Sequence, residues 1–310
     1  MKNILFLYHD PCTDGYLCRI VAEFFYTHAK QDVRVEYVGV NPSSLTADLD
    51  RILSGKFYDE ILMFDMSLTP QNYNQLSAKA PIVKVFDHHE STAKAFANVE
   101  TNWLTFDNNH CGAYLAFRYF YGNETPVPKL IQYVEVRDIW LYEKPRDLPE
   151  SKEITTFLYN DLFRMPFKES REYFFLLFDS TNDWWCGAAK QGRIILNLVE
   201  KSVDSIVASM KQKTVLVNGV EKQCLVANAI EYVSEVGNKA TKSNQSIDFA
   251  LLWSYDTEGR IRISLRSDAS RCNVNDVAKT LWNGGGHAAA AGALICDKAE
   301  QSKFLNFFSV

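Results

Sequence analysis

Six histidines occur in the 310 residues, at positions 9, 28, 88, 89, 110 and 287. Three of them lie at expected strand ends close to aspartate: His9 before Asp10, and His88 and His89 after Asp87. Asp14, Asp65 and Asp138 lie in similar short polar stretches where apolar sequence breaks off. Imidazoles and carboxylates together suit Mn²⁺, Fe²⁺ or Zn²⁺ better than Ca²⁺, which prefers a shell of oxygens. Two cations about 3.5–4 Å apart need at least one bridging carboxylate and ligands arriving from several elements. His9, Asp14, Asp65, His88 and Asp138 meet that demand, with Asp65 as the natural bridge. Any one of them alone is better explained as a capped strand end or a satisfied polar group. It is the set that points to metal.

The elements that must position this set are legible in the hydrophobic pattern. Residues 4–8, 33–40, 61–64 and 82–86 read as buried strands, and 16–25 and 71–78 as helices between them. Alternating strands and helices imply a mostly parallel sheet covered on both faces. Such sheets bind ligands beyond the carboxyl ends of their strands. Three of the four strands run straight into chemically capable residues: Tyr8-His9-Asp10, Phe64-Asp65 and Phe86-Asp87-His88-His89. Helices at 111–121 and 129–136 follow, the second running into Arg137-Asp138-Ile139-Trp140. Residues 141–185 are aromatic-rich and helical, punctuated by Pro145, Pro149 and Pro166. Trp184-Trp185 there read as core rather than as base-stacking platforms.

A long proline-free amphipathic run from Gly187 to Met210 links two domains. Beyond it, strands are expected at 214–217 and 223–227, then a hairpin of 249–255 and 260–266 around Asp256-Thr257-Glu258-Gly259. A helix at 274–282 with Asn273 as its N-cap follows, and then Gly284-Gly285-Gly286-His287. The expected architecture is α/β: a mostly parallel N-terminal sheet flanked by helices (1–186), a linker helix (187–212) and a smaller C-terminal α/β domain (213–310). The active-site cleft is expected between the two domains.

Composition supports this outline. Hydrophobic residues make up 47% and charged residues 23%, enough for a sizeable core. A net charge of -5 argues against a protein that coats polyanions, but a local basic groove or bound metal can still attract a phosphate. The seven cysteines are odd in number and form no C-x-x-C pair, which favours a reducing cytoplasm over a disulfide framework or structural zinc. The apolar start meets His9 and Asp10 too soon for a signal peptide, and no apolar run reaches the roughly 18 residues of a membrane span.

Taken in order, the motifs resemble a known family. Tyr-His-Asp-Pro-Cys-Thr-Asp-Gly at 8–15, Phe-Asp at 64–65, Asp-His-His at 87–89 and Arg-Asp-Ile-Trp at 137–140 resemble the four motifs of the DHH phosphoesterases. Arg-Ile-Ser-Leu-Arg-Ser at 262–267 and Gly-Gly-Gly-His at 284–287 resemble the associated C-terminal domain of that superfamily. Asp-His-His alone is a weak tripeptide; six motifs in order are a strong signal.

The resemblance implies two divalent metal ions, in the first place Mn²⁺. His9 and Asp65 would hold one; Asp14, Asp65, His88 and Asp138 the other. Asp87 would orient the imidazoles, and His89 would face the substrate phosphate. Arg266, Ser267, the glycines 284–286 and His287 would contact the phosphate or the adjoining nucleotide, and His110 is a further substrate candidate. The sequence departs from the commoner D-x-D spacing of the first motif, because Cys12-Thr13-Asp14 puts a thiol at its first position. A thiolate there could ligate a softer metal, or the first site could be weak or differently filled.

The implied reaction is in-line hydrolysis of a phosphodiester in a short oligonucleotide or nucleotide by metal-activated water, as in oligoribonucleases, RecJ-like exonucleases and cyclic-dinucleotide phosphodiesterases. His89, Arg266 and His287 would stabilise charge on the phosphoryl oxygens. A pyrophosphatase or exopolyphosphatase is the competing enzyme reading. From another class comes a non-catalytic protein that binds a nucleotide or single strand, favoured by Cys12 standing where aspartate is usual. A homodimer is open. The triple glycine has two readings of its own: an anion-binding nest of successive N–H groups, or a tight turn between a helix and a final strand.

Overall fold

Strands buried on both faces carry apolar side chains at every position, and the first strand shows why. Ile4, Phe6 and Tyr8 enter one core, while Leu5 and Leu7 enter the other. The computed structural model describes residues 1–29, 32–142, 148–164, 167–178 and 182–308; Pro145 and Pro166 lie outside them. The chain divides into two compact units, Met1–Leu196 and Asn197–Val310.

In the first unit, β1 (Lys2–His9), β2 (Val33–Val40), β3 (Glu60–Phe64), β4 (Val83–Asp87) and β5 (Leu104–Phe106) form one sheet in the order β2-β1-β3-β4-β5. Every pairing is parallel. One face packs against α1 (Thr13–His28), α5 (Gly112–Tyr121) and α6 (Lys129–Asp138), through Leu17, Ile20, Ala116 and Val134. The other is covered by α2 (Leu45–Leu53) and α3 (Pro70–Ser77), through Leu49 and Leu76. α4 (Glu90–Ala95), α7 (Ser151–Asn160) and α8 (Phe167–Leu177) complete this part, and α9 (Asn182–Ser209) contains the division between units. Trp185 is buried in the first core, as its apolar reading implies.

The sequence gives four strands here, and the structure adds the three-residue β5 together with α2 and α4. It also moves the fourth strand by one residue: Ile82 is 42% exposed, and Asp87 is the last residue of β4. The strand order reverses between β1 and β3, the topological switch point at which sheets of this order open a crevice. His9 ends β1 and Asp65 follows β3.

The second unit is a mixed sheet of six strands in the order β10-β11-β9-β8-β7-β6. Its strands are β6 (Lys211–Val217), β7 (Val220–Asn228), β8 (Phe249–Tyr255), β9 (Ile261–Ser267), β10 (Gly285–Gly286) and β11 (Ala290–Ile295). Only β7 and β8 run parallel. The β6–β7 turn is Asn218-Gly219, both at positive φ (50° and 80°), as a two-residue hairpin requires. Helices α10 (Val233–Ser243), α11 (Val274–Trp282) and α12 (Lys298–Phe308) accompany the sheet. The Asn273 side chain accepts N–H bonds from Asn275 and Asp276 and so caps α11, as read from the sequence. Among the described residues no helix is long and apolar enough to cross a membrane.

Candidate metal centre

The carboxyl-terminal rim of the parallel sheet gathers the acids and histidines of the first unit. His88 is the hub. Its Nε2 lies 3.0 Å from Asp65 Oδ1, 3.6 Å from Asp138 Oδ2 and 3.8 Å from Asp14 Oδ2. His9 Nδ1 lies 3.3 Å from Asp65 Oδ2. Ligand atoms of Asp14, Asp65 and His88 fall within 4.8 Å of one another, as do those of His9, Cys12 and Asp65 and those of Asp65, Asp87 and His89. Asp65 belongs to all three groups. The residues expected to hold metal are 129 positions apart at their extremes, from His9 to Asp138, and meet here.

Local backbone explains how they are held. Asp65 sits at φ 57°, the left-handed region that Asp and Asn enter more readily than other side chains. That turn swings its carboxylate off the end of β3. Gly112 makes room for it, since a Cβ there would stand 2.6 Å from Asp65 Cβ and 2.8 Å from Asp14 Oδ2. Asp14 in turn accepts N–H bonds from Gly112 (2.5 Å) and Ala113 (2.8 Å) at the start of α5. Gly15 has the same function at the other wall, where a Cβ would lie 2.3 Å from His9 O.

The outer tier is tightly bonded. Asp87 Oδ1 lies 2.6 Å from His89 Nδ1, and Asp87 Oδ2 accepts from Thr92 Oγ1. Thr92 Oγ1 also accepts the N–H of Leu68 (2.9 Å). Burial opposes ionisation of Asp87, but the two neighbouring histidines and Thr92 outweigh it and hold the carboxyl below its ordinary value. Burial likewise works against a charged His89, and Asp87 overrides it, raising the imidazole.

The inner tier is electrostatically incomplete. Burial raises Asp14 well above the carboxylate range, and the charges of Asp65 and Asp138 add to this. Asp138 is raised too, by burial first and Asp65 next, against the pull of His88. Asp65 keeps its charge despite burial because the imidazoles of His88 and His9 hold it well below its usual range. His88 is pushed up to about 10: burial opposes this, and the contact with Asp65 and the charges of Asp138 and Asp14 prevail. Asp65 Oδ2, Asp138 Oδ2 and His9 Nδ1 are buried atoms with no hydrogen-bond partner. Buried polar atoms of folded proteins are seldom left this way. A donor set of carboxylates and imidazoles with unspent lone pairs fits one or more divalent cations.

Sequence reasoning missed Thr92 and Glu135. Glu135 lies three residues before Asp138 on α6; its Oε2 is 2.9 Å from His110 Nδ1 and 3.3 Å from Cys111 N. The i, i+3 spacing with Asp138 is the signal that could have found it. His110 is stacked on Tyr114 with ring centroids 3.7 Å apart, so both ring face and Nδ1 are engaged. Trp140 packs edge-on against Tyr142.

The other substrate candidates lie in the second unit. Arg266 donates to Leu265 O and to Ser234 Oγ, both at 2.8 Å. Ser267 is buried and its hydroxyl donates to Cys272 O (2.6 Å). The glycine-histidine turn departs from the nest reading at two positions. Gly284 N–H donates to Ala278 O (3.0 Å) and His287 N–H to Ala290 O (2.7 Å), which leaves neither for an anion. Close packing is what demands glycine here: a Cβ on Gly284 would stand 2.1 Å from Gly292 O, and Gly286 lies at φ 144°.

A parallel sheet with metal-competent residues at its switch point, and a mixed-sheet unit carrying the Arg-Ser and glycine-histidine motifs, are what the resemblance to the DHH phosphoesterases implies. Residues 207–309 match the DHHA1 domain. The chain is 26% identical over 325 residues to uncharacterized protein R106 of Acanthamoeba polyphaga mimivirus, covering 98% of this chain and 72% of that protein. It is 26% identical over 309 residues to oligoribonuclease NrnB of Bacillus subtilis, covering 94% and 73%. Its fold is similar to the crystal structure of exonuclease RecJ bound to manganese, with TM-score 0.50 and 14% identity, covering 99% and 89% of the two chains.

Proposed function

We propose that the chain is a divalent-metal-dependent phosphodiesterase acting on short oligonucleotides or nucleotides. One observation carries this: five ligand-type side chains from separate elements, His9, Asp14, Asp65, His88 and Asp138, converge, with buried atoms of Asp65, Asp138 and His9 left without a hydrogen bond. The likeness to an oligoribonuclease over 94% of the chain supports the substrate class. His9 and Asp65 would hold one cation, and Asp14, Asp65, His88 and Asp138 a second, with Mn²⁺ the first choice. Such ions would bring the pKa of a water near neutrality and offset the charge of phosphate oxygens.

The chain's own groups supply the rest. Asp87 fixes the His89 ring through Nδ1 and favours its protonated form, which would donate to a phosphoryl oxygen. Thr92 locks Asp87 in turn. Roles for Arg266 and His287 on the nucleotide side rest on the C-terminal motifs.

The test is release of mononucleotide from a 5′-labelled pentaribonucleotide with Mn²⁺, beside pyrophosphate as the competing substrate. Product from the oligonucleotide, lost in His88→Ala, supports the proposal. Turnover of pyrophosphate alone, or tight binding without product in any divalent metal, overturns it.

A further inference from the structure

Building on the reading of this cluster as a cation site, we propose that Cys12 is one of its ligands and that its sulfur biases the site towards Co²⁺, Zn²⁺ or Fe²⁺ and away from Mg²⁺. The Cys12 sulfur lies within 4.8 Å of ligand atoms of both His9 and Asp65. Cys12 is the N-cap of α1 with an extended backbone (φ -145°, ψ 138°), three residues beyond the end of β1, and this places it on the rim where β1 and β3 end. A second observation points to a ligand at the same spot: Asp65 Oδ2, on a side chain only 2% exposed, has no hydrogen-bond partner and faces His9 Nδ1.

Three donors of different chemistry (imidazole nitrogen, carboxylate oxygen and sulfur) therefore converge. Soft thiolate selects thiophilic and borderline metals, whereas an aspartate in its place would suit hard cations. On binding, the S–H bond breaks, its proton passes to solvent, and the freed sulfur lone pair is donated to the cation. Cys18 and Cys111 are also buried, but among the described residues neither joins a ligand group of this kind.

The full chain, stripped of metal and titrated with Co²⁺, gives the test. Thiolate coordination produces a sulfur-to-cobalt charge-transfer band in the near ultraviolet. The band should appear in the wild type and vanish in both Cys12→Ser and Cys12→Asp, which still take up Co²⁺ by equilibrium dialysis. In competition, Cys12→Asp should shift the Co²⁺-over-Mg²⁺ preference towards Mg²⁺ by about tenfold or more. Full cobalt occupancy without the band, or a band that survives both substitutions, overturns the assignment of Cys12 and leaves the cation site intact. No uptake of Co²⁺ or Mn²⁺ by the wild type overturns the cluster reading itself.

Discussion

The two units treat their polar residues in opposite ways. At the rim of the parallel sheet, Asp65, Asp138 and His9 are brought together and left with buried atoms that make no hydrogen bond. In the mixed-sheet unit, Ser267 spends its hydroxyl on Cys272 O, and the N–H groups of Gly284 and His287 are spent on backbone carbonyls. The first arrangement is poor as scaffold, because buried charge is costly unless matched. The second is good scaffold. The contrast teaches that the first unit is built to receive charge from outside, and that the motifs of the second unit are at least partly structural.

The sharpest way to break this contrast is Asp65→Asn, which keeps shape and removes the shared charge. Mn²⁺-dependent hydrolysis should fall by on the order of 10³-fold, about 4 kcal/mol of barrier, while thermal unfolding stays cooperative. Unchanged turnover would remove Asp65 from the centre of the site. Next come two glycines that should separate the units. Gly112→Ala drives a methyl towards Asp65 and Asp14, and Gly284→Ala drives one into Gly292 O. Each should cost about 1–3 kcal/mol of stability by denaturant titration, but only Gly112→Ala should weaken Mn²⁺ binding measured by calorimetry. Equal losses of affinity would erase the distinction.

Proton linkage gives a smaller effect. His88, pushed up to about 10, and the raised Asp14 and Asp138 hold protons in the metal-free cluster to higher pH than usual. A cation must displace those protons, so affinity for Mn²⁺ should rise with pH below the His88 value, by about tenfold per unit for each proton released. An affinity flat in pH would show that the cluster is already deprotonated. The smallest effect belongs to the second unit: Asn273→Ala removes the α11 cap and should cost about 1 kcal/mol, with metal binding untouched.

Much of this was legible because the central strands β1, β3 and β4 are largely apolar and run straight into polar residues. β1 and β4 end at His9 and Asp87 and Asp65 follows β3, so the rim could be read from where hydrophobicity ends. β5 and α4 could not: three and six residues are too few to show a period. Thr92 was illegible for another reason. Its value arises from a contact with Leu68, 24 positions away, which no local pattern encodes, whereas Glu135 left only its i, i+3 spacing with Asp138 as a signal. The triple glycine was legible as a special backbone, but its use was not. Chain freedom and close packing against β11 demand the same residue, and only the position of Gly292 O distinguishes them.

The left-handed backbone at position 65 makes folding and chemistry judge the same residue by separate standards. A library screened only for folded protein should accept asparagine and glycine there and discard valine, whose branched carbon clashes at that φ. A screen for turnover over the same library should discard asparagine and glycine as well, leaving aspartate as the choice that meets both demands.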